Sequence, residues 1–265
     1  MNIVIKTPEE LEKMRKAGAL AASLLDYIGD FVEVGVSTEY LDDLCAKFIA
    51  DHNSVSACLN YGNPPYPKHT CISTNHIVCH GIPDERKLKK GDILNIDTTV
   101  IVDGFHGDTS RMYVAGEPSI AAKKLIDATY EAMWRGIEVV KEGATLGDIG
   151  KAIQKFVEAK GFSVVRDFCG HGIGRGFHED PQVLHYYEKR LDQIILKEGM
   201  CFTIEPMINA GKAGTKILPN KWTAVTRDRS LSAQFEHMLA VRKNGYEIFT
   251  LSKTEKEKGI LAVKD

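Results

Sequence analysis

The amino-acid sequence predicts an α+β fold of two related α/β halves, on three observations: an internal repeat, four helix-start signals and β-rich segments between them. The repeat has a fixed offset. Val32-Glu33-Val34-Gly35-Val36-Ser37 aligns with Val140-Lys141-Glu142-Gly143-Ala144-Thr145, and Leu88-Lys89-Lys90-Gly91 with Leu196-Lys197-Glu198-Gly199. Ile96-Asp97 and Ile204-Glu205 match at the same spacing of 108 residues (143 − 35). One such match could be chance, but a shared offset across separated blocks indicates duplication. Two halves packed about a pseudo-twofold axis would bring Asp97 and Glu205 toward one cleft, where sites are commonly built.

The first helix should start at Thr7-Pro8-Glu9-Glu10, which supplies an N-cap hydroxyl, a proline in the first turn and a glutamate at the third position. It should run to about Phe31. Ser37 or Thr38 opens a second helix toward Ile49, Ser119 a third toward Val140, and Thr145 a fourth toward Ala159. Ile93 to Val102 and Phe105 to Val114 read as strands joined by Asp103-Gly104, a favoured two-residue hairpin turn. Further strand is expected at Ser163 to Phe168, Met200 to Ile208, Thr223 to Arg227 and Phe235 to Val241. Cys58 to Thr70, rich in Pro, Gly, Asn and Tyr, reads as loop, and Thr254 to Gly259 as a solvated end.

At 265 residues and 43% hydrophobic composition the chain can bury one sizeable core. A single domain over residues 1–265 is expected, with halves at approximately 1–118 and 119–252 and a polar C-terminal tail. A net charge of -2 offers no field to hold nucleic acid or an anionic membrane. No apolar run approaches the roughly 18 residues that span a bilayer. The six cysteines form no Cys-x-x-Cys pair and no signal-peptide core opens the chain, so reduced thiols and a cytoplasmic location are expected.

Acids in apolar strands carry the chemical argument. If the Asp103-Gly104 hairpin is tight, Thr99 faces Asp108 and Asp97 lies diagonal to it on the same face, ~7–8 Å away. Asp97, Glu205 and Glu236 each interrupt an apolar run, where an unpaired charge would be costly. Any one of them alone reads as a salt bridge or strand-edge charge. As a set they lack counter-charges, since of these segments only that of Asp108 contains a cation, Arg111. Divalent cations are the better partners. Four carboxylates balance two such ions, so a further ligand should be neutral, and His171 in Gly170-His171-Gly172-Ile173-Gly174 suits that need. An oxygen-rich donor set favours Mn²⁺, Fe²⁺ or Co²⁺ over a thiolate zinc site without excluding Zn²⁺.

His80 in Cys79-His80-Gly81-Ile82-Pro83 and His178 in Phe177-His178-Glu179-Asp180-Pro181 both lie in Gly/Pro loops ahead of strands. His52, His69, His76, His106, His185 and His237 read as ordinary packed or surface residues. A His-Glu-x-x-His zinc site is ruled out because Gln182 follows His178-Glu179 where a second histidine would be needed, and Pro181 breaks the helix. No Gly-x-Ser-x-Gly, Walker or Gly-x-Gly-x-x-Gly motif occurs.

These segments, with Asn95-Ile96-Asp97, Gly107-Asp108-Thr109, Thr203-Ile204-Glu205-Pro206 and Glu236-His237, make the chain resemble the bacterial-type, type I methionine aminopeptidases along its whole length. The resemblance implies a pita-bread fold, two pseudo-symmetric halves around a central antiparallel sheet. It implies two divalent metal ions (Co²⁺, Mn²⁺, Fe²⁺ or Zn²⁺) on Asp97, Asp108, His171, Glu205 and Glu236, with Asp108 and Glu236 bridging. Glu205 would shuttle protons, while His178 and His80 would contact the substrate. Cys58, Tyr61, Tyr66, Cys71, Phe177 and Trp222 would wall an apolar methionine pocket, and Asn75, Ile77 and Ser232 would hold a monovalent cation (Na⁺ or K⁺). The implied partners are nascent polypeptide N-termini, with transient contact to the ribosome, and the implied state is a monomer. Prolidase and aminopeptidase P share the fold but carry an extra N-terminal domain, for which 265 residues leave no space.

Overall fold

The fold was obtained as a computed structural model, which describes residues 2–265. Helix α1 (Pro8–Gly29) starts with a reciprocal cap: the Glu10 N–H donates to Thr7 Oγ1 and the Thr7 N–H to the Glu10 carboxylate. Ser37 caps α2 (Thr38–Asp51). Short strands β1 (Val55–Ser56), β2 (Cys71–Thr74) and β3 (Ile77–Cys79) lead to a long hairpin, β4 (Ile93–Val102) and β5 (Phe105–Val114). Val102 pairs with Phe105 and Thr99 with Asp108, the register that a tight Asp103-Gly104 turn dictates. Asp103 and Gly104 both have positive φ, 51° and 77°.

Ser119 caps α3 (Ile120–Ile137) and Thr145 caps α4 (Leu146–Ala159). Then come β6 (Ser163–Val164), β7 (Gly170–Gly172), β8 (Glu179–Val183), β9 (Cys201–Ile204), β10 (Met207–Asn209), β11 (Thr215–Ile217), β12 (Ala224–Thr226), β13 (Ser232–Gln234), β14 (His237–Val241) and β15 (Tyr246–Ile248). A short α5 (Lys253–Glu257) and β16 (Val263–Lys264) close the chain. β4 is flanked by β1 and β2 on one edge and β5 on the other, and a second sheet runs β16-β15-β14-β9-β7-β8. The two meet where Ser110 of β5 bridges Glu236: the Glu236 N–H donates to Ser110 O at 3.0 Å and Thr109 Oγ1 to Glu236 O at 2.7 Å.

The repeat is a repeat of hydrogen bonds. Gly35 N–H donates to Leu88 O at 2.8 Å and Gly143 N–H to Leu196 O at 3.0 Å. Leu88 N–H returns to Val36 O and Leu196 N–H to Ala144 O, each at 2.8 Å. Gly35 and Gly143 take φ of 94° and 85°, a conformation that glycine alone adopts without strain. Each half then packs its helices on its own strands. Leu24, Leu25, Ile28 and Leu41 meet Leu94 and Ile96, while Leu125, Met133 and Ile149 meet Phe202 and Leu239. Each such side chain contributes about 1.5–3 kcal/mol of burial.

Four expectations change. The strand expected over Met200 to Ile208 breaks at Glu205-Pro206, because proline has no N–H for a ladder, and the chain passes from one sheet to another. The strand expected from Phe235 starts at His237, since Glu236 pairs instead with β5. That expected over Ser163 to Phe168 ends at Val164. Thr254 to Gly259 is not a free solvated end: Ser252 and Glu255 cap α5 reciprocally, Glu255 is buried, and β16 beyond it pairs with β15.

Candidate active site

The candidate metal-ligating side chains converge from both halves on one cavity of about 380 Å³. β4 and β5 deliver Asp97 and Asp108, and Thr99 Oγ1 donates to Asp108 Oδ1 at 2.8 Å across the hairpin. β7 delivers His171, and the strand ends at Ile204 and Gln234 deliver Glu205 and Glu236. Ligand atoms of Asp108, His171 and Glu236 lie within 4.8 Å of one another. His171 Nε2 is 3.5 Å from Asp108 Oδ2 and 3.7 Å from Glu205 Oε1. Asp97 and Glu205 line the same cavity, whose walls contain no lysine or arginine among the described residues.

The electrostatics follow from that crowding. Burial, reinforced by Asp108, Cys58 and Glu205, pushes the Asp97 carboxyl well above its usual range. Burial and then Asp108, Glu205 and Asp97 do the same to Glu236. Burial raises Glu205 to about 7, against the opposing pull of His171. At His171 burial disfavours the charged form, yet Asp108 and Glu205 outweigh it and raise the imidazole. Buried anions short of counter-charge, with one imidazole among them, suit divalent cations.

One side of the cavity is apolar. Cys58, Tyr66 and Cys71 are buried together, with Phe177 and Trp222 packed on them. Tyr66 Oη donates to Gly81 O at 2.8 Å and Trp222 Nε1 to Pro64 O at 3.0 Å, so both rings are fixed at their polar ends. Tyr61 stands at the mouth, 39% exposed, its Oη 2.7 Å from His178 Nδ1. His80, at φ 54°, packs edge-on against Phe168 and Trp222. Burial holds both His80 and His178 down at about 4, His178 with help from His171. Away from this cavity, Asn75 O accepts the Ser232 N–H at 2.8 Å, and Ile77 pairs with Val225.

Sequence reasoning passed over the groups that hold these side chains. Thr203 Oγ1 accepts the His171 N–H at 3.1 Å and donates to Glu205 Oε1 at 2.8 Å. Gln234 Nε2 donates to Glu205 Oε2 at 3.1 Å, and His185 Nε2 accepts the Glu205 N–H at 3.0 Å. His106 stacks on Phe177 with ring centres 5.6 Å apart. His106 and His185 were the two ordinary histidines that the fold brings to the site. Nothing in the local sequence marks Thr203 or Gln234, whose contacts to His171 and Glu205 the fold alone creates.

The family model for metallopeptidase family M24 matches residues 12–243. The chain belongs to that family. Among M24 metallopeptidases, the methionine aminopeptidase of Escherichia coli K12 is 57% identical over 257 residues, 96% of each chain. That of Rickettsia prowazekii is 56% identical over 253 residues, covering 95% of this chain and 96% of the relative. The crystal structure of the Rickettsia enzyme superposes with a TM-score of 0.91 at 55% identity, over 94% of this chain and 100% of that one. The Thermotoga maritima methionine aminopeptidase gives 0.90 at 37% identity, over 94% and 99%. Prolidase from Pyrococcus furiosus gives 0.73 at 23% identity and is covered over only 66% of its length, which shows the shared fold alone. The M24 chain thus has the pita-bread architecture, and the family is one of enzymes that use divalent metal ions.

Proposed function

We propose that the chain removes the N-terminal methionine from newly made proteins by metal-dependent hydrolysis of their first peptide bond. The observation that carries this is a single cavity in which an apolar wall of Cys58, Tyr61, Tyr66, Cys71, Phe177 and Trp222 adjoins Asp97, Asp108, His171, Glu205 and Glu236. Burial of the methionine side chain against that wall supplies affinity, and a small second residue is the preference proposed with it. The relatives named methionine aminopeptidase support the reading. We place the enzyme in the cytoplasm as a monomer, meeting nascent chains near the ribosome, with Asn75, Ile77 and Ser232 as a monovalent-cation site.

The five acid and imidazole ligands would hold two divalent cations, Co²⁺, Mn²⁺, Fe²⁺ or Zn²⁺. Bound there, such ions supply Lewis acidity to the scissile carbonyl and acidify the attacking water. Glu205 takes the water's proton and passes it to the leaving amine, its carboxylate oriented for that by Thr203 Oγ1 and Gln234 Nε2. His178 is neutral at physiological pH. In the tautomer in which Nδ1 accepts from the Tyr61 hydroxyl 2.7 Å away, the ring carries its proton on Nε2 and can donate to the charge that develops on the carbonyl oxygen. His80, neutral and buried, supports the substrate beside it.

Mass spectrometry of Met-Ala-Ser, N-formyl-Met-Ala-Ser and an Xaa-Pro peptide, with and without chelator, tests the proposal. Only the first should be cleaved, losing methionine alone and only without chelator. Once methionine is gone, alanine leaves the pocket underfilled, a loss of about 1.5–3 kcal/mol or roughly ten- to a hundredfold in rate. Cleavage of the formylated peptide, trimming at one constant rate or indifference to chelation would refute it.

A further inference from the structure

The loop that presents Phe177 and His178 has few side chains to shape it, because Gly172, Gly174 and Gly176 alternate through it. Its shape is imposed by the first residues of the chain. The Asn2 N–H donates to Asp180 Oδ2 at 2.6 Å, Ile3 bridges Asp180, Ile5 bridges Met200, and the Lys6 N–H donates to Gly199 O at 2.9 Å. This strap sets Lys6 Nζ 2.6 Å from Glu179 Oε2, the two side chains being 3% and 16% exposed. The second carboxylate oxygen, Glu179 Oε1, accepts the Gly176 N–H at 2.8 Å. A Cβ at Gly174 would lie 2.5 Å from Lys6 Cε and Nζ, and one at Gly176 3.0 Å from Glu179 Cγ. The glycines stand where the ion pair passes against the loop.

Taking a lysine and a glutamate out of water is costly, and an apolar pair could fill the same space. What the charges add is direction: a lysine fixed by the strap pins a carboxylate, which pins the backbone two residues before His178. The far side of the loop is held by His106, whose N–H donates to Gly174 O at 2.9 Å, and by Tyr61 at His178 Nδ1.

We propose that Lys6 and Glu179 are positioning residues for His178, coupling the N-terminal strap to the active site of the methionine-removing reaction. The proposal rests on the reading of His178 as a substrate-contacting residue. Remote misplacement of a catalytic group by about 1 Å costs up to a hundredfold in rate. In the metal-loaded enzyme, Lys6→Met should therefore lower kcat on Met-Ala-Ser about ten- to a hundredfold. Metal content should stay unchanged, and amide exchange should quicken across residues 174–180.

Because Lys6 would act through His178, adding Lys6→Met to His178→Ala should cause little further loss. If Lys6→Met fails to fold, Lys6→Met/Glu179→Gln replaces it in the cycle, since the amide oxygen still accepts the Gly176 N–H. A folded variant with parental kcat, or losses that multiply in the combined variant, overturns the proposal and leaves only a structural ion pair. An impaired His178→Ala beside an unimpaired Lys6→Met overturns it alone. An unimpaired His178→Ala overturns the reading of His178 and this proposal together.

Discussion

Glu205 shows how much of a site one residue's surroundings decide. Both its carboxylate oxygens and its backbone N–H are taken, by Thr203, Gln234 and His185. His185 is fully buried, and that burial pushes its imidazole down to about 3, so the ring is neutral and Nε2 is free to accept. Replacing it with leucine removes the acceptor and strands a buried N–H at the proposed proton shuttle. We expect His185→Leu to cost about 1–3 kcal/mol of stability, read as a lower urea midpoint at unchanged m-value, while His185→Gln recovers part of it. Equal midpoints for parent and His185→Leu would show that the bond is not worth its geometry. The strand acids were legible in the sequence because a charge in an apolar run violates the pattern around it. His185, Thr203 and Gln234 violate no pattern, and their importance arises only where the fold joins residues distant in sequence.

Elements were legible to the extent that their signals are local. Thr7, Ser37, Ser119 and Thr145 cap the helices they were read to start, and Asp103-Gly104 set the β4–β5 register. The segment from Thr254 failed because its charges describe its outer face, whereas Glu255 turns inward to His237 at 3.0 Å and Tyr130 at 2.8 Å. Burial alone would raise the Glu255 carboxyl, but His237, the Ser252 hydroxyl and the Ser252 N–H together hold it well below the usual 4.5. A depressed carboxyl stabilises the fold above its unfolded value and loses that contribution as pH falls through the folded one. While His237 is protonated, the α5 clasp should therefore weaken progressively as pH falls below 4.5. Melting curves of the parent and Glu255→Gln should lie well apart at neutral pH and converge in acid; a constant separation would show that ionisation of Glu255 is not what holds α5.

At the scale of the whole molecule, the duplication brings two like halves together with their acids facing. Asp97, Glu205 and Glu236 are all raised, chiefly by burial, with their neighbours' charges adding to it at Asp97 and Glu236, so without metal the fold resists their ionisation. The sign is opposite to that of Glu255. A raised carboxyl contributes its full stability below the unfolded value and loses it as pH rises through the folded one, for Glu205 between 4.5 and about 7. Chelator-treated protein should accordingly melt at lower temperature as pH rises from about 5 to about 8. Divalent cations bind the ionised carboxylates, so loading should gain strength over the same interval and cancel or reverse that slope. Metal uptake at pH near 6 should release protons, measurable as a buffer-dependent heat. Thermal melts with and without chelator decide the matter, because parallel profiles would mean that the acids are compensated within the protein and do not need metal to make their meeting tolerable.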